Sequence, residues 1–248
     1  MGIFRNREDA GRKLAPLVEK YHDDRPIVVA LPRGGVVVGE EIARAIEVPL
    51  EILVVRKIGA PLQPELGMGA VAEGNVRLFD SRVVDEVGAS NEDIERIVAE
   101  ENAEVARRVR RYRRGRPPRD LTARTVLLVD DGIATGGTAR AAIRALRTLG
   151  AGRVIVAVPV AAAETIGHIA AEADEVVCLA TPQSLWAIGY WYDDFGQVSD
   201  QEVVELLERA RQREASQARE EMPVAKLAAQ EVEEKAVAVR AATVTDPT

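Results

Sequence analysis

Two adjacent acids, Asp130 and Asp131, follow the apolar run Val126 to Val129 and precede a turn of small and hydroxylated residues, Gly132 to Thr138. That turn leads into a helical pattern, ARAAIRALRTL. An apolar run of this length suits a buried parallel strand. A strand, a glycine-rich turn and a helix N-terminus together form an anion site. Backbone N–H groups converge there, the helix dipole adds partial positive charge, and threonine hydroxyls supply more donors. Paired carboxylates accept from neighbouring hydroxyls. A vicinal diol beside a phosphate describes a ribose 5-phosphate.

The stretch VLLVDDGIATGGT resembles the phosphoribosyl pyrophosphate (PRPP) motif of type I phosphoribosyltransferases. It is not a Walker A loop, because no Gly-Lys-Ser/Thr follows. It is not a Rossmann fingerprint, because the acids precede the glycines. The resemblance implies that Asp130 and Asp131 hold the ribose hydroxyls as catalytic and binding residues. It implies that Ala134, Thr135, Gly136, Gly137 and Thr138 wrap the 5-phosphate. Gly132 stands where the family usually has an apolar residue, and is expected to loosen the turn without removing a ligand.

A second strand–turn–helix unit lies upstream. Ile27 to Leu31 is apolar, Pro32-Arg33-Gly34-Gly35 is the turn, and Val36 to Ile46 fits a helix. PRGG looks like the family's pyrophosphate loop, often built on a strained non-proline peptide, which makes Arg33, Gly34 and Gly35 pyrophosphate-binding candidates. Leu50 to Val55 reads as another strand, with Arg56 and Lys57 as cations for the same group at its end. That segment resembles the arginine-lysine-glycine-proline stretch of adenine phosphoribosyltransferases. Residues 59–68, GAPLQPELGM, read as a mobile loop that would close over the reaction centre. Glu65 is a candidate catalytic carboxylate within it, or a solvated side chain, and Glu73 is a second candidate. Residues 69–80 read as a hairpin turning at Gly74-Asn75.

Aromatics gather late in the chain: Trp186, Tyr190, Trp191, Tyr192 and Phe195. They suit either a packed cap or a wall against which a flat heterocycle stacks. The run from Trp186 to Asp193 resembles, over a short span, a segment of 6-oxopurine phosphoribosyltransferases. The likeness implies Trp186 on the base and Asp193 near magnesium. Against hypoxanthine or guanine stands Ala134, where those enzymes carry an aspartate, and the Ala-Thr-Gly-Gly-Thr wording is closer to adenine and uracil enzymes.

The remaining elements must hold these loops. Residues 6–21 read as a helix capped by Asn6, with Ala10, Leu14, Leu17, Val18 and Tyr21 inward and Pro16 kinking or splitting it. Residues 90–114 read as a long helix capped by Ser90, with Ile94, Ile97, Val98, Val105, Val109 and Tyr112 inward. Its arginine-dense end, from Arg107 to Arg119, reads as a solvated face partly paired with upstream acids, or as a patch for a polyanion. Arg153 to Val160 and Glu175 to Ala180 read as strands around a helix at 162–172. The alternation predicts an α/β fold with a mostly parallel, doubly wound sheet, right-handed crossovers and its site at the strands' carboxyl ends. The phosphoribosyltransferase resemblance adds a small hood at 181–200 and a flexible hairpin loop. Residues 1–205 are expected to form the domain, and 206–248 a frayed helix and disordered tail.

The net charge of −7 argues against a general nucleic-acid binder. A single cysteine, Cys178, excludes a disulfide framework. The N-terminal stretch lacks a signal-peptide apolar region, and no apolar run approaches a membrane span, so a cytoplasmic setting is expected. His22 and His168 fall outside every candidate site. By the resemblance, the chain joins PRPP and a nitrogenous base, with Mg2+, to give a nucleoside 5'-monophosphate and pyrophosphate, as a possible homodimer. Two alternatives stay open. One is a non-catalytic PRPP or nucleotide sensor on the same fold. The other is a hydrolase or phosphorylase of ribose-phosphate compounds.

Overall fold

Alternate residues along the central strands face two separate apolar cores, so helices must cover both faces of the sheet. A computed structural model of the chain describes residues 2–61 and 63–220, the side chains of Pro64 and Glu65 excepted. Strands β1 (Ile27–Ala30), β2 (Leu50–Ile52), β6 (Thr125–Val129), β7 (Arg153–Val160) and β8 (Glu175–Ala180) form one sheet in the order β2-β1-β6-β7-β8. Every pairing in it is parallel. Val28, Ala30, Leu127, Val129, Ile155 and Ala157 enter one core, with residues of α1 (Arg7–Val18), α2 (Gly34–Ala45), α4 (Asn91–Arg113) and α7 (Asp200–Glu220). Ile27, Val29, Val126, Leu128, Val154 and Val156 enter the other, with α5 (Gly137–Thr148) and α6 (Ala163–Ala170). A period of two along each strand produces this division.

The strand order places the site. The chain steps outward from β1 to β2 on one side, and from β6 to β7 and β8 on the other. The crevice of such a sheet lies at the carboxyl ends of the strands where the order reverses, here β1 and β6. Ala30 pairs with Val129, so the turn after β1 and the turn after β6 emerge side by side.

A second, antiparallel sheet consists of β3 (Val55–Ala60), β4 (Gln63–Ala72) and β5 (Val76–Phe79). Two expectations change here. The strand expected over Leu50 to Val55 is divided: β2 ends at Ile52, buried Leu53 and Val54 cross over, and Val55 opens β3 of the second sheet. Arg56 and Lys57 therefore lie inside an antiparallel strand, not at the end of a parallel one. Within the stretch 59–68, expected as a loop, Gly59 and Ala60 end β3 and residues 63–68 begin β4. The register shifts at Ile58/Gly59 and Gly59/Ala60, so Gly59 marks an irregular strand pairing instead of a break. The hairpin at Gly74-Asn75 forms as expected, with φ of 82° and 60°, as a tight turn requires.

α1 begins after Asn6, whose side chain accepts from Asp9 N, and runs through Pro16 to Val18 before tightening into a 3-10 turn, Glu19–Asp24. Pro16 does not split it: a proline so near the C-terminus removes one bond from a helix already about to end. Leu17, expected inside, is 44 % exposed. α3 (Ser81–Val87), unforeseen, is capped by Asp80 and closed by Gly88 in the left-handed region. α4 starts at the Ser90 cap as expected, and the arginines at and beyond its end are largely paired: Arg107 and Arg108 with Glu104, Arg111 with Asp200, and Arg116, past the helix, with Glu208. Arg113 departs from the solvated-face reading. It is buried, with Nη1 2.8 Å from Glu51 and Nε 2.7 Å from Glu73.

The chain divides into two compact units, residues 1–210 and 211–248. The boundary expected after residue 205 falls within α7, where Leu206, Leu207 and Ala210 are buried. The helix continues to Glu220, and the part of the expected tail at 221–248 lies outside the described residues. No helix among the described residues is long and apolar enough to cross a membrane.

Candidate active site

The two turns meet with no space between them. Gly34 and Gly35 form the first residues of α2, and Arg33 is its N-cap. A Cβ on Gly34 would overlap the Asp131 carboxylate, and one on Gly35 would lie 2.8 Å from Val129 O and 2.9 Å from Asp130 Cα. The glycines of PRGG thus let the start of one helix lie directly on the acid pair. The peptide between Pro32 and Arg33 is cis.

Asp130 is partly buried, and its Oδ1 accepts from Asp131 N at 2.9 Å. Burial, and then the negative charge of Asp131, hold its carboxyl well above the usual range. Asp131 Oδ2 accepts from Arg7 Nε at 2.7 Å, and Tyr192 Oη donates to Asp131 O at 2.6 Å. Arg7 also donates through Nη1 to Gly196 O at 2.7 Å and stacks 3.8 Å over the Phe195 ring. Arg7, Tyr192 and Phe195 are site residues that sequence reasoning did not assign to this place. Arg7 sits one position after a helix cap, a signal for the helix and not for its distant partner.

The loop after the acids is propped from behind. Ile133 N donates to Val160 O, and Thr165 Oγ1 donates to Ala134 O at 2.6 Å. Gly136 has φ +78°, and a Cβ there would come 2.7 Å from Thr165 Cγ2, so position 136 needs glycine on both counts. Gly136 is the N-cap of α5, with no side-chain cap. The first amides of a helix have no partner within it and face outward as donors. Gly137 has open space around it. Thr138 and Gly137 line a cavity together with Lys57, Gly67, Phe79 and Arg140.

Gly132 was expected to loosen the turn, but the fold uses it for closeness. A Cβ there would lie 2.6 Å from Ile188 Cγ2, so the bare backbone lets the segment after β8 settle on the loop. In that segment Tyr192 and Phe195 turn inward, their rings 4.9 Å apart, with Phe4 5.3 Å from Tyr192. Phe4 N donates to Trp191 O and Asp193 N to Phe4 O, which ties the N-terminal segment to the hood.

The other nominated residues are dispersed. Arg33 Nη1 lies 3.9 Å from Asp200. Arg56 pairs with Glu101 at 2.7 Å. Glu65 belongs to β4, and its side chain lies outside the described atoms. Glu73, buried against Arg113, has its carboxyl raised by that burial, with the guanidinium opposing. Trp186 is 91 % exposed. Asp193 Oδ1 accepts from Gly2 N at 2.7 Å. Among the described residues no group of three or more His, Cys, Asp or Glu is placed to hold a metal ion.

The chain matches the family model described as "Phosphoribosyl transferase domain" over residues 3–194. It is 44 % identical over 210 residues to proteins of two Mycobacterium tuberculosis strains, H37Rv and CDC 1551, named "Putative phosphoribosyl transferase". The match takes in 85 % of this chain and 47 % of either protein, so the chain spans about half the length of these curated relatives. The crystal structure of TT1426 from Thermus thermophilus superposes with a TM-score of 0.76 at 41 % identity, covering 84 % of this chain and 99 % of that one. The matched region contains both turns, the acid pair and the hood as far as residue 194, and the chain belongs to the phosphoribosyl transferase domain family.

Proposed function

We propose that the chain transfers a phosphoribosyl group from PRPP to a nitrogenous base, releasing pyrophosphate and a nucleoside 5'-monophosphate. The observation that carries this reading is the direct contact of the Gly34-Gly35 helix start with Asp130 and Asp131, beside the N-terminus of α5. An acceptor pair thereby lies between two clusters of backbone donors, as a sugar with a phosphate at each end requires.

In this reading the amides of the 134–138 turn hold the 5-phosphate. Asp131, and Asp130 behind it, accept from the ribose hydroxyls, and the immobilised sugar supplies the orientation contribution to rate. Arg33 and the first amides of α2 receive the diphosphate, and Lys57 approaches from the second sheet. Charge builds on the departing diphosphate as its bond to the sugar lengthens, and fixed donors aimed there stabilise it.

The donor set suits Mg2+, which is usually held by one or two carboxylates plus substrate phosphates, not by a cage of protein ligands. Asp130 or Asp131 would hold it together with the diphosphate, and Asp193 keeps acceptor positions beside the one that takes Gly2 N. When bound, it neutralises the leaving group. Trp186 stays a base-stacking candidate only if the hood folds inward on binding.

Calorimetric titration with PRPP and magnesium, repeated with a panel of free bases, tests the reading. Binding that turns over with one base is the expected result and names the acceptor. Absence of PRPP binding overturns it.

A further inference from the structure

Arg7 joins three parts of the molecule that the reaction needs together. It is the first residue of α1, and its side chain is only 11 % exposed. Nε donates to Asp131 Oδ2, Nη1 donates to Gly196 O, and the guanidinium face covers the Phe195 ring. A Cβ on Gly34 would also come 2.7 Å from Arg7 Nε, so the PRGG turn bounds it on a further side. The acid pair, the diphosphate-side turn and the hood therefore share one cation.

We infer that Arg7 is a positioning residue that fixes the Asp131 carboxylate for a sugar hydroxyl and makes that orientation depend on the hood being seated. The inference rests on the reading of Asp130 and Asp131 as acceptors for a ribose diol. An ionised carboxylate offers about four lone-pair positions. Arg7 takes one on Oδ2, which sets the plane of the group and leaves other positions for a hydroxyl. Tyr192 anchors the same residue through its backbone carbonyl, so the hood holds Asp131 from two directions. The guanidinium also offsets part of the charge of two neighbouring carboxylates, which would otherwise repel each other. Lysine cannot reproduce this arrangement. Its single ammonium has no planar face for Phe195 and no second nitrogen to reach Gly196 while the first meets Asp131.

A residue that merely pinned α1 to the core would weaken every ligand alike. An orienting residue acts on hydroxyl recognition. The test is calorimetric affinity for ribose 5-phosphate, 2-deoxyribose 5-phosphate and inorganic phosphate, in the wild-type chain and in Arg7→Ala, Arg7→Lys and Phe195→Leu. The wild-type chain is expected to prefer ribose 5-phosphate to the deoxy sugar. Arg7→Ala should cut that preference roughly tenfold, the scale of one charge-assisted hydrogen bond, while phosphate affinity stays within about twofold. Arg7→Lys and Phe195→Leu should fall between. A folded Arg7→Ala that keeps the wild-type preference overturns the inference, as does an equal loss for all three ligands. If Arg7→Ala does not fold, the same comparison in Arg7→Lys and Phe195→Leu decides: a reduced preference supports the inference and an unchanged one overturns it. A wild-type chain that binds phosphate but does not distinguish the two sugars overturns the reading of the acid pair itself, and this inference with it.

Discussion

Gly34 and Asp131 are in contact across the crevice between β1 and β6, the Cα of one lying so close to the carboxylate of the other that no side chain fits between them. The pyrophosphate-loop candidate and the ribose-acid candidate are thus parts of one surface.

Gly34→Ala should therefore damage the site more than the fold. Its methyl group would displace Asp131 or Arg7, which are joined by a bond of 2.7 Å. Overpacking of this kind costs about 1–3 kcal/mol. The expected result is loss of ribose 5-phosphate and PRPP binding by calorimetry, with a cooperative thermal transition retained at a lower temperature.

Asp130→Asn should bind PRPP far more weakly and yet be the more stable protein near neutrality. A carboxyl whose pKa is higher in the folded than in the unfolded state binds its proton more tightly when folded. Its contribution is present below the unfolded pKa, about 3.9, and is lost as pH rises through the folded value. Asp130 is raised in this way by burial and by Asp131, so ionising it at neutral pH opposes folding. Asparagine keeps the Oδ1 acceptor for Asp131 N without the charge. Thermal melts of the two proteins should differ most near neutral pH and converge on acidification. A difference that grows toward acid would contradict the assignment.

Gly132→Ala should lift the hood, because its methyl group would meet Ile188 at 2.6 Å. Ile188→Ala in the same chain should make room for it. The double variant is expected to recover most of the PRPP affinity lost by Gly132→Ala alone, a coupling that a thermodynamic cycle measures.

Arg113→Leu should destabilise the protein by about 3–5 kcal/mol, the scale for leaving buried charges without their partner. Glu51 and Glu73 would both lose the guanidinium that meets them at 2.8 and 2.7 Å. Urea denaturation reads the loss. Ligand affinity under native conditions should change little, because this cluster ties α4 to the second sheet and β2 instead of facing the acid pair.

The acid pair, the glycine turns and the parallel sheet were legible in the sequence because each depends on neighbours in the chain. A buried strand, a turn that needs left-handed glycine and an exposed helix start are local requirements, and Val126 to Thr138 carries all of them in one run. The caps Asn6 and Ser90 are local in the same sense, and both formed as expected. What failed was what depends on distant partners. A nearer exception is the pair Gly59 and Gly67, which read as breaks and instead face each other across the irregular β3–β4 pairing. Arg113 read as solvated because its acids, Glu51 and Glu73, lie far upstream.

The order of residues supplies the chemistry on offer: carboxylates, backbone donors and cations, and the strand–helix alternation that sends them to one edge. Which of these groups meet is set by the packing of the folded chain. Arg7 joins Asp131, Arg56 is taken by Glu101, and Gly132 yields its space to Ile188. The physical reason is that an ion pair or a close approach is set by the packing of whole elements, and no local propensity encodes the residue on the far side.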